Sequence, residues 1–295
     1  MLRVATRGSA LALAQARLVG DLLGQPFELV VVQTAGDRRT DVPIWELGGQ
    51  GVFVKEVQTA VLDGRADLAV HSAKDLPSTS PPGLVLAAVP ERADPRDALV
   101  GSTLDGLPPG ARVATGSVRR RAQLAALRPD LTFAGLRGNM ETRLAKAAEH
   151  SAIVVAACAL DRLGMADHIG ERLAPALLLP QVGQGALAVE AREGDDGVLG
   201  PLAGIEHGPS RRAVDAERAY LRELGGGCDL PVAAYAVAGE AGVDITLTAL
   251  LAGLDGHVLL RRTATGGDPE ELGRSLARRL LDRDGGAGLL APEID

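Results

Sequence analysis

The feature that most constrains the fold of this chain is a short internal repeat, in which one strand-to-helix sequence occurs twice. RVATRGS at 3–9 and RVATGS at 112–117 each precede a helical pattern that continues with Ala, Gln and Leu. Such self-similarity indicates two similar α/β lobes. Each copy places Gly and Ser at a helix start, where free amides and the helix dipole favour anions. Two such turns facing each other would hold a carboxylated ligand between the lobes.

Length and charge limit the classes of protein to which the chain can belong. Its 295 residues exceed the usual size of one hydrophobic core, so two or three domains are expected. A net charge of −7 argues against nucleic-acid binding, which needs a clustered cationic surface. The sequence contains no 18-residue apolar run and no signal peptide. We therefore predict a cytoplasmic protein without a membrane partner.

The first lobe begins with a predicted βαβ unit. Leu2 to Thr6 and Phe27 to Gln33 have the pattern of strands, the second of them buried, and an Ala/Leu-rich helix separates them. The segment 34–50, TAGDRRTDVPIWELGGQ, has no clean period and is rich in Gly and charge. Loops this long inside a domain are usually functional lids or disordered segments. A helix at 51–62 then leads to the next strand.

The candidate catalytic residues follow that strand, in the motif HSAKDLP. An apolar run from Asp67 delivers His71, Ser72, Lys74 and Asp75 together into a turn. Ligands of open α/β sheets bind beyond the carboxyl ends of the strands, so Asp75 is the first candidate for chemistry. The alternative is that Asp75 only begins a turn before the proline and that Lys74 only pairs with it.

The second lobe carries a group of arginines at helix starts. The segment 119–121 is RRR, and Arg137 and Arg143 flank the start of the next helix. Cations near a helix N-terminus oppose the dipole, at about 0.3–1 kcal/mol each, so a bound anion would explain them. The alternative is that they are solvated, or paired with Glu141 and Glu149.

The remaining chain predicts a hinge and a third domain. The segment 181–192 has the pattern of a strand returning to the first lobe, and with the linker at 91–97 it would form a two-strand hinge. A charged amphipathic helix at 209–225, three β-type segments within 231–266 and a helix at 268–283 indicate an α+β domain.

The two cysteines have different surroundings. Cys158 follows an apolar strand and is predicted to be a small core residue without chemistry. Cys228 lies on a loop between three glycines and Pro231, which leaves its thiol exposed. Their spacing is not that of metal ligands, so no metal is expected.

Assembled in order, these motifs resemble one family closely. The resemblance extends over nearly the whole chain, and the matching segments are ATRGSALALAQ, GVFVKE, HSAKDLP, ATGSVRRRAQL, LRGNMETRL, CALDRLG, LPQVGQGALAVEAR and GGGCDLP. Their sequence and order are similar to those of the porphobilinogen deaminases, also called hydroxymethylbilane synthases. The departures are Gln50, where the family often has Lys, and Ala159 and Ala233, where it often has Gly.

The resemblance implies a cytoplasmic, monomeric transferase of tetrapyrrole and heme biosynthesis. It would join four porphobilinogen molecules into hydroxymethylbilane and release ammonia, on a dipyrromethane cofactor attached to Cys228 through a thioether. It implies three domains: 1–92 with 185–204, 96–181, and 207–295. The first two would fold like the lobes of type II periplasmic binding proteins, joined by a two-strand hinge, and the third would be α+β.

The resemblance also implies roles for single residues. Asp75 would be the catalytic carboxylate, which stabilises the cationic azafulvene formed as ammonia leaves. Cofactor-binding positions other than Cys228 would be Ser72, Lys74, Thr115, Ser117, Arg119, Arg120, Arg162 and Gln184. Substrate-binding positions would be Arg7, Ser9, Arg137 and Arg143.

One class of protein without catalysis competes with this interpretation. Solute receptors and effector sensors use the same two-lobe plan to clamp anions at helix N-termini without turnover, and the fold alone does not separate them from an enzyme. The features that a sensor does not require are the glycine loop around Cys228 and the third domain.

Overall fold

The structure is a computed structural model, and it describes residues 1–34, 51, 53–226, 230–239 and 243–290. By internal contacts the chain divides into two compact units, which are described separately. The first unit comprises 1–93 with 185–211, and the second comprises 94–184 with 212–295. None of the helices in the described ranges is long and apolar enough to cross a membrane.

The secondary structure alternates between strands and helices until the C-terminal region. The strands of the described residues are β1 (Leu2–Arg7), β2 (Phe27–Val32), β3 (Leu68–Ser72), β4 (Leu84–Ala88), β5 (Asp97–Val100), β6 (Arg112–Ala114), β7 (Thr132–Ala134), β8 (Ala152–Ala156), β9 (Ile169–Leu173), β10 (Leu187–Arg192), β11 (Val232–Ala238), β12 (Ile245–Ala252) and β13 (Leu259–Gly266). The α-helices are α1 (Ala10–Leu23), α2 (Lys55–Leu62), α3 (Val118–Leu127), α4 (Met140–Ala145), α5 (Ala157–Arg162), α6 (Asp196–Ala203), α7 (Gly208–Glu223), α8 (Pro269–Arg278) and α9 (Ala287–Leu290).

The first unit is built on one five-stranded sheet with the order β2-β1-β3-β10-β4. Strand β1 pairs in parallel with both β2 and β3, whereas β10 is antiparallel to β3 and β4. Apolar clusters cover both faces of this sheet, one containing Val4 and Val189 and the other Ala5 and Val57. Alternate residues of β1 therefore serve opposite faces, as the two-residue period of a strand requires.

The second unit contains a sheet of the same plan, with the order β7-β6-β8-β5-β9. Strand β6 is parallel to β7 and β8, and β5 is antiparallel to β8 and β9. The repeated sequences therefore occupy equivalent places, since β1 and β6 each lie second in their sheets and each precede a helix. The prediction of two similar α/β lobes is confirmed.

The prediction that residues 27–33 form a buried strand is only partly correct. The strand forms, but Val32 is its one buried residue and Val31 is 58% exposed. The reason is its position, because β2 is an edge strand of the first sheet. An apolar run predicts a strand without showing whether a neighbour covers it.

The C-terminal part of the second unit is an antiparallel sheet of β11, β12 and β13 in that order, as its three β-type segments predict. One face packs on α7 and α8, with Tyr220 fully buried and its hydroxyl donating to the carbonyl of Leu250 at 2.9 Å. A second cluster joins Leu250 and Ala233 to Ala122 of α3. This apolar contact explains why the two sheets belong to one compact unit.

Candidate active site

The HSAKDLP motif forms a strand end and a tight turn. Strand β3 ends at Ser72, and Ala73–Asp75 form a single 3-10 turn. The amide of Ala73 donates to the carbonyl of Ala186 at 3.0 Å, which ties the turn to the segment before β10. Residues 71–75 therefore leave one strand end together, as the sequence predicts.

Four of the predicted site residues line one pocket in the first unit. The pocket is small, and the space of about 390 Å³ within it includes open solvent. The predicted residues in its wall are Arg7, Ser9, Ser72 and Asp75. Lys74 is half-buried in the same turn and does not line this pocket.

Hydrogen bonds and an aromatic contact fix this wall. Ser9 caps α1 by accepting from the amide of Ala12 at 3.3 Å. Gln15, one helical turn further on, donates through Nε2 to the hydroxyl of Ser72 at 2.9 Å. The guanidinium of Arg7 lies 4.1 Å from the centre of the Phe53 ring, within the range of a cation–π contact. The pocket thus combines donors, a cation and an aromatic face around one carboxylate.

A buried acidic cluster lies in the same unit. Glu190 of β10 is fully buried, and its Oε2 lies 3.2 Å from Nε2 of His71. Gln58 and Ser80 donate to the two carboxylate oxygens at 2.8 and 2.7 Å. Burial raises the pKa of Glu190, but His71 and the two donors outweigh it, so this pKa lies below its usual range.

The second unit holds two of the predicted arginines against one carboxylate, Asp97, the first residue of β5. Arg119 donates through Nη1 to Asp97 Oδ2 at 2.8 Å, and Arg120 donates through Nε to Oδ1 at 2.9 Å. Gln184 also donates to Oδ1, at 2.9 Å. Burial raises the pKa of Asp97, but the arginines outweigh it, and the net direction is downward.

The alternative that Arg119 and Arg120 are solvated, or paired with Glu141 and Glu149, is therefore wrong. Arg119 is 2% exposed and Arg120 is 6% exposed. Their partner is neither solvent nor Glu141 or Glu149 but Asp97, which pattern analysis overlooked. A buried guanidinium needs a partner of opposite charge, and Asp97 supplies it.

Arg119 nevertheless keeps unused hydrogen-bond donors. Its Nη1 donates to Asp97 and to the carbonyl of Leu179, whereas its buried Nε and Nη2 have no hydrogen-bond partner among the described residues. Burial lowers the pKa of this guanidinium, and Asp97 opposes that effect. Two adjacent N–H groups on one edge of a guanidinium match the two oxygens of a carboxylate.

The remaining predicted residues of this unit lie at helix ends. Ser117 caps α3 by accepting from the amide of Arg120, and it repeats the part that Ser9 plays at α1. The buried Thr115 accepts from the amide of Ser117 at 3.3 Å. Arg143 donates through Nε to the carbonyl of Gly138 at 2.8 Å.

Arg137 and Arg162 are both half-buried. Arg162 ends α5, and burial lowers the pKa of its guanidinium, with Cys158 and Asp161 acting in the opposite direction. Cys158 is itself buried, as predicted for a core residue. Within the described residues no group of three or more His, Cys, Asp and Glu side chains could hold a metal ion.

Two predictions fall outside the described residues. Cys228 belongs to the segment 227–229, and the expected lid at 34–50 is described only at Thr34. Both stay predictions from the sequence.

Pattern analysis missed several residues of these sites. Asp97 begins the strand DALV, whose other residues are apolar, and Glu190 interrupts the apolar run of LAVEA at 187–191. A charged residue next to or within an apolar run is the signal that could have identified them. Gln15 and Phe53 gave no comparable signal, because their importance comes from folding into the wall of a pocket.

Two five-stranded sheets of identical order define a two-lobed α/β protein, a class that includes both binding proteins and enzymes. A family profile described as "Porphobilinogen deaminase, dipyromethane cofactor binding domain" matches residues 2–199. A second profile, "Porphobilinogen deaminase, C-terminal domain", matches residues 212–282. The chain therefore belongs to the porphobilinogen deaminase family.

Curated porphobilinogen deaminases are similar to this chain over nearly their full length. A porphobilinogen deaminase of Roseiflexus castenholzii is 50% identical over 301 residues, which cover 98% of each chain. One of Moorella thermoacetica is 48% identical and covers 99% of this chain and 96% of its own. One of Syntrophus aciditrophicus is 44% identical, with 100% and 99% covered.

Similarity to solved structures is weaker. A periplasmic His/Glu/Gln/Arg/opine family-binding protein from Silicibacter pomeroyi, in complex with lysine, aligns with a TM-score of 0.35 at 14% identity, covering 76% of this chain and 92% of its own. A TRAP periplasmic solute binding protein from Pseudomonas putida with bound D-glucuronate aligns with a TM-score of 0.38 at 11% identity, covering 77% and 86%. The fold assignment rests on sheet order and not on these scores.

Proposed function

We propose that this chain is a transferase that joins four porphobilinogen molecules head to tail, releases one ammonia at each step, and frees hydroxymethylbilane by hydrolysis. Its membership of the porphobilinogen deaminase family supports this activity. The structural observation that carries the proposal is the pocket of the first unit, where Asp75 lies with Arg7, Ser9 and Ser72. One carboxylate beside several anion-binding groups suits a substrate that is cationic at its reacting carbon and anionic at its side chains.

The residues present fit a dipyrromethane cofactor. The buried Nε and Nη2 of Arg119, which lack hydrogen-bond partners among the described residues, suit a carboxylate on such a group. When bound, the cofactor supplies the pyrrole carbon to which the first substrate is joined. Cys228 would hold it through a thioether, and its polar contacts would come from Ser72, Lys74, Thr115, Ser117, Arg119, Arg120, Arg162 and Gln184.

Asp75 would act by electrostatics and proton transfer. Positive charge develops on the substrate as ammonia leaves, and a fixed carboxylate in the pocket offsets that charge at the moment it forms. The 3-10 turn and the backbone bond of Ala73 hold Asp75 in place. An amide of the same shape could not offset the charge.

The other cations would bind the acetate and propionate groups of the substrate. Arg7 and Ser9 lie in the pocket wall with Asp75. Arg137 and Arg143 of the second unit would serve the same purpose, since a guanidinium binds carboxylate in a bidentate way. Binding to such distant groups orients the substrate without contributing to bond cleavage.

The expected location, oligomeric state, partners and domain boundaries are part of the same proposal. The chain would be a cytoplasmic monomer that binds neither nucleic acid nor metal. The division of the chain into three domains, 1–92 with 185–204, 96–181 and 207–295, also remains proposed.

The direct test is to incubate the purified protein with porphobilinogen and to measure ammonia release and linear tetrapyrrole formation. The proposal predicts continuous turnover, with one ammonia for each substrate consumed. A sensor built on the same two-lobe plan would bind porphobilinogen, release no ammonia and leave it unchanged. That result would show that the chain is a binding protein and not an enzyme.

A further inference from the structure

Glu190 is a buried carboxylate to which the proposed reaction gives no role. In the pairing of β10 with β3 it lies opposite Ala69. His71 follows two residues later on β3, so its side chain points to the same face of the sheet as that of Ala69. This geometry brings its ring to 3.2 Å from Glu190.

The second contact of Glu190 is with a residue further along the same segment. Ser80 donates its hydroxyl to Oε1 at 2.7 Å, while Oε2 accepts from Gln58 of α2 at 2.8 Å. Ser80 is therefore hydrogen-bonded to Glu190, and the ring of His71 lies beside the same carboxylate. His71 and Ser80 are nine residues apart, and the segment between them includes the turn that places Ser72 and Asp75 in the pocket wall.

We propose that Glu190 is a positioning residue of the active site, which fixes the orientation of Asp75 by hydrogen-bonding Ser80 at one end of segment 71–80 and packing beside His71 at the other. The inference rests on the proposed role of Asp75. Glu190 itself does not line the pocket, so it would act through the segment and not on the substrate.

Stability alone is a poor reason for a carboxylate at this place. Removing a charged carboxylate from water is costly, and apolar replacements of buried charged groups are often equally stable or more stable. Precise placement of a reacting group is a better reason, because a shift of about 1 Å in its position can lower the rate by about 10²-fold. The cluster makes most sense as a device for placing the turn.

The test is a double-mutant cycle between Ser80→Ala and Asp75→Asn. Ser80→Ala releases one end of the segment and leaves the contacts of Glu190 with Gln58 and His71 intact. We expect it to lower the single-turnover rate of ammonia release by about tenfold, with KM changed by less than about twofold. Ser80→Thr, which keeps the hydroxyl, should restore most of the rate.

In the Asp75→Asn background the same Ser80→Ala change should have almost no further effect on the rate. The amide introduced by Asp75→Asn does not stabilise the positive charge, so moving it costs no further rate. Thr59→Ala is the matched control, since the bond this exposed hydroxyl makes among the described residues stays within α2, to the carbonyl of Lys55 at 2.8 Å. It should leave the rate unchanged in both backgrounds. Glu190→Gln, checked for folding by circular dichroism, should behave like Ser80→Ala.

The outcomes separate the inference from the function on which it rests. If Asp75→Asn is slow but Ser80→Ala lowers the rate by the same factor in both backgrounds, the segment is not positioning Asp75 and only this inference fails. The same conclusion follows if Ser80→Ala changes KM alone. If Asp75→Asn keeps the wild-type rate, the proposed role of Asp75 is itself wrong.

Discussion

Asp97 begins strand β5 and Asp75 lies in the turn after β3, and their surroundings give these two carboxylates different chemistry. Asp97 is fully buried between two guanidinium groups. Asp75 is half-buried in the wall of an open pocket. The residue types were evident from the sequence, but burial and partner depend on contacts between distant segments, such as Asp97 with Arg119. Sequence patterns alone could not supply those contacts.

The first prediction at this scale concerns the charge of Asp75. Asp75→Asn should fold normally and slow the condensation by about 10²–10³-fold, the usual cost of losing one group that stabilises a developing charge. Rapid-quench measurement of ammonia release tests this. Asp63→Asn, an exposed carboxylate of the same unit, is the control and should retain the wild-type rate. A near-normal rate for Asp75→Asn would reduce Asp75 to a turn-forming residue.

The second prediction concerns the buried arginines. Replacing Arg119 or Arg120 with Leu should lower the free energy of unfolding by up to about 3–5 kcal/mol, because Asp97 is left buried and incompletely paired. Urea unfolding measures this loss. Arg65→Leu, an exposed arginine, should change the free energy by less than about 1 kcal/mol. Unchanged stability in both buried variants would mean that the Asp97 cluster does not form.

At the scale of whole elements, the presence of most strands and helices could be predicted from the sequence. The residues at which they begin and end could not. The segment 181–192 is predicted to be one strand, but β10 begins only at Leu187. Gly183 and Gly185 explain the difference, because their φ angles of 69° and 90° form turns that interrupt an extended chain. Residues 279–283, expected to continue the last long helix, form a π-helical turn instead.

The third prediction tests the packing of two helices. A Cβ on Gly273 of α8 would lie 2.3 Å from the carbonyl oxygen of Ala216 in α7, closer than real contacts allow. Gly273→Ala should therefore destabilise the protein by about 1–3 kcal/mol in chemical denaturation. Gly197→Ala in α6 is the matched control, because its nearest neighbour would lie at 3.6 Å. The control should be neutral or stabilising by about 0.4–1 kcal/mol. Equal effects would show that the helices do not approach so closely.

At the scale of the whole molecule, the repeat of RVATRGS in RVATGS carried the most information. It predicted two similar lobes, and the two sheets have the same order and the same strand directions. The close association of the second and third sheets within one unit was not predictable. It depends on an apolar contact between Ala122 and Leu250, residues that are far apart in the chain and that no periodic pattern connects.

The fourth prediction is that acid weakens the folded state. The pKa values of Asp67, Asp94 and Glu190 lie below their usual values, since ion pairs and hydrogen bonds outweigh burial. The folded state then binds fewer protons than the unfolded state, so stability is complete above the unfolded carboxyl pKa values of about 4 and is lost as pH falls through the lower folded values.

Urea unfolding between pH 3 and pH 7 measures this dependence. The free energy of unfolding should be nearly constant from about pH 6 to 7 and should fall below about pH 5. Asp67→Asn removes the carboxylate that pairs with Arg3 at 2.6 Å, so its dependence on pH should be shallower. Identical curves for this variant and the wild type would assign the acid sensitivity to other groups.

The proposed reaction requires a dipyrromethane, made from porphobilinogen and anchored on Cys228, which peptide mass mapping of the purified protein can detect. We expect an adduct of two linked pyrrole units on the peptide that contains Cys228, and none on the peptide of the buried Cys158. Cys228→Ser should lose both the adduct and the activity, whereas Cys158→Ala should keep both. An adduct on Cys158, or an active Cys228→Ser protein that still carries the adduct, would contradict the account.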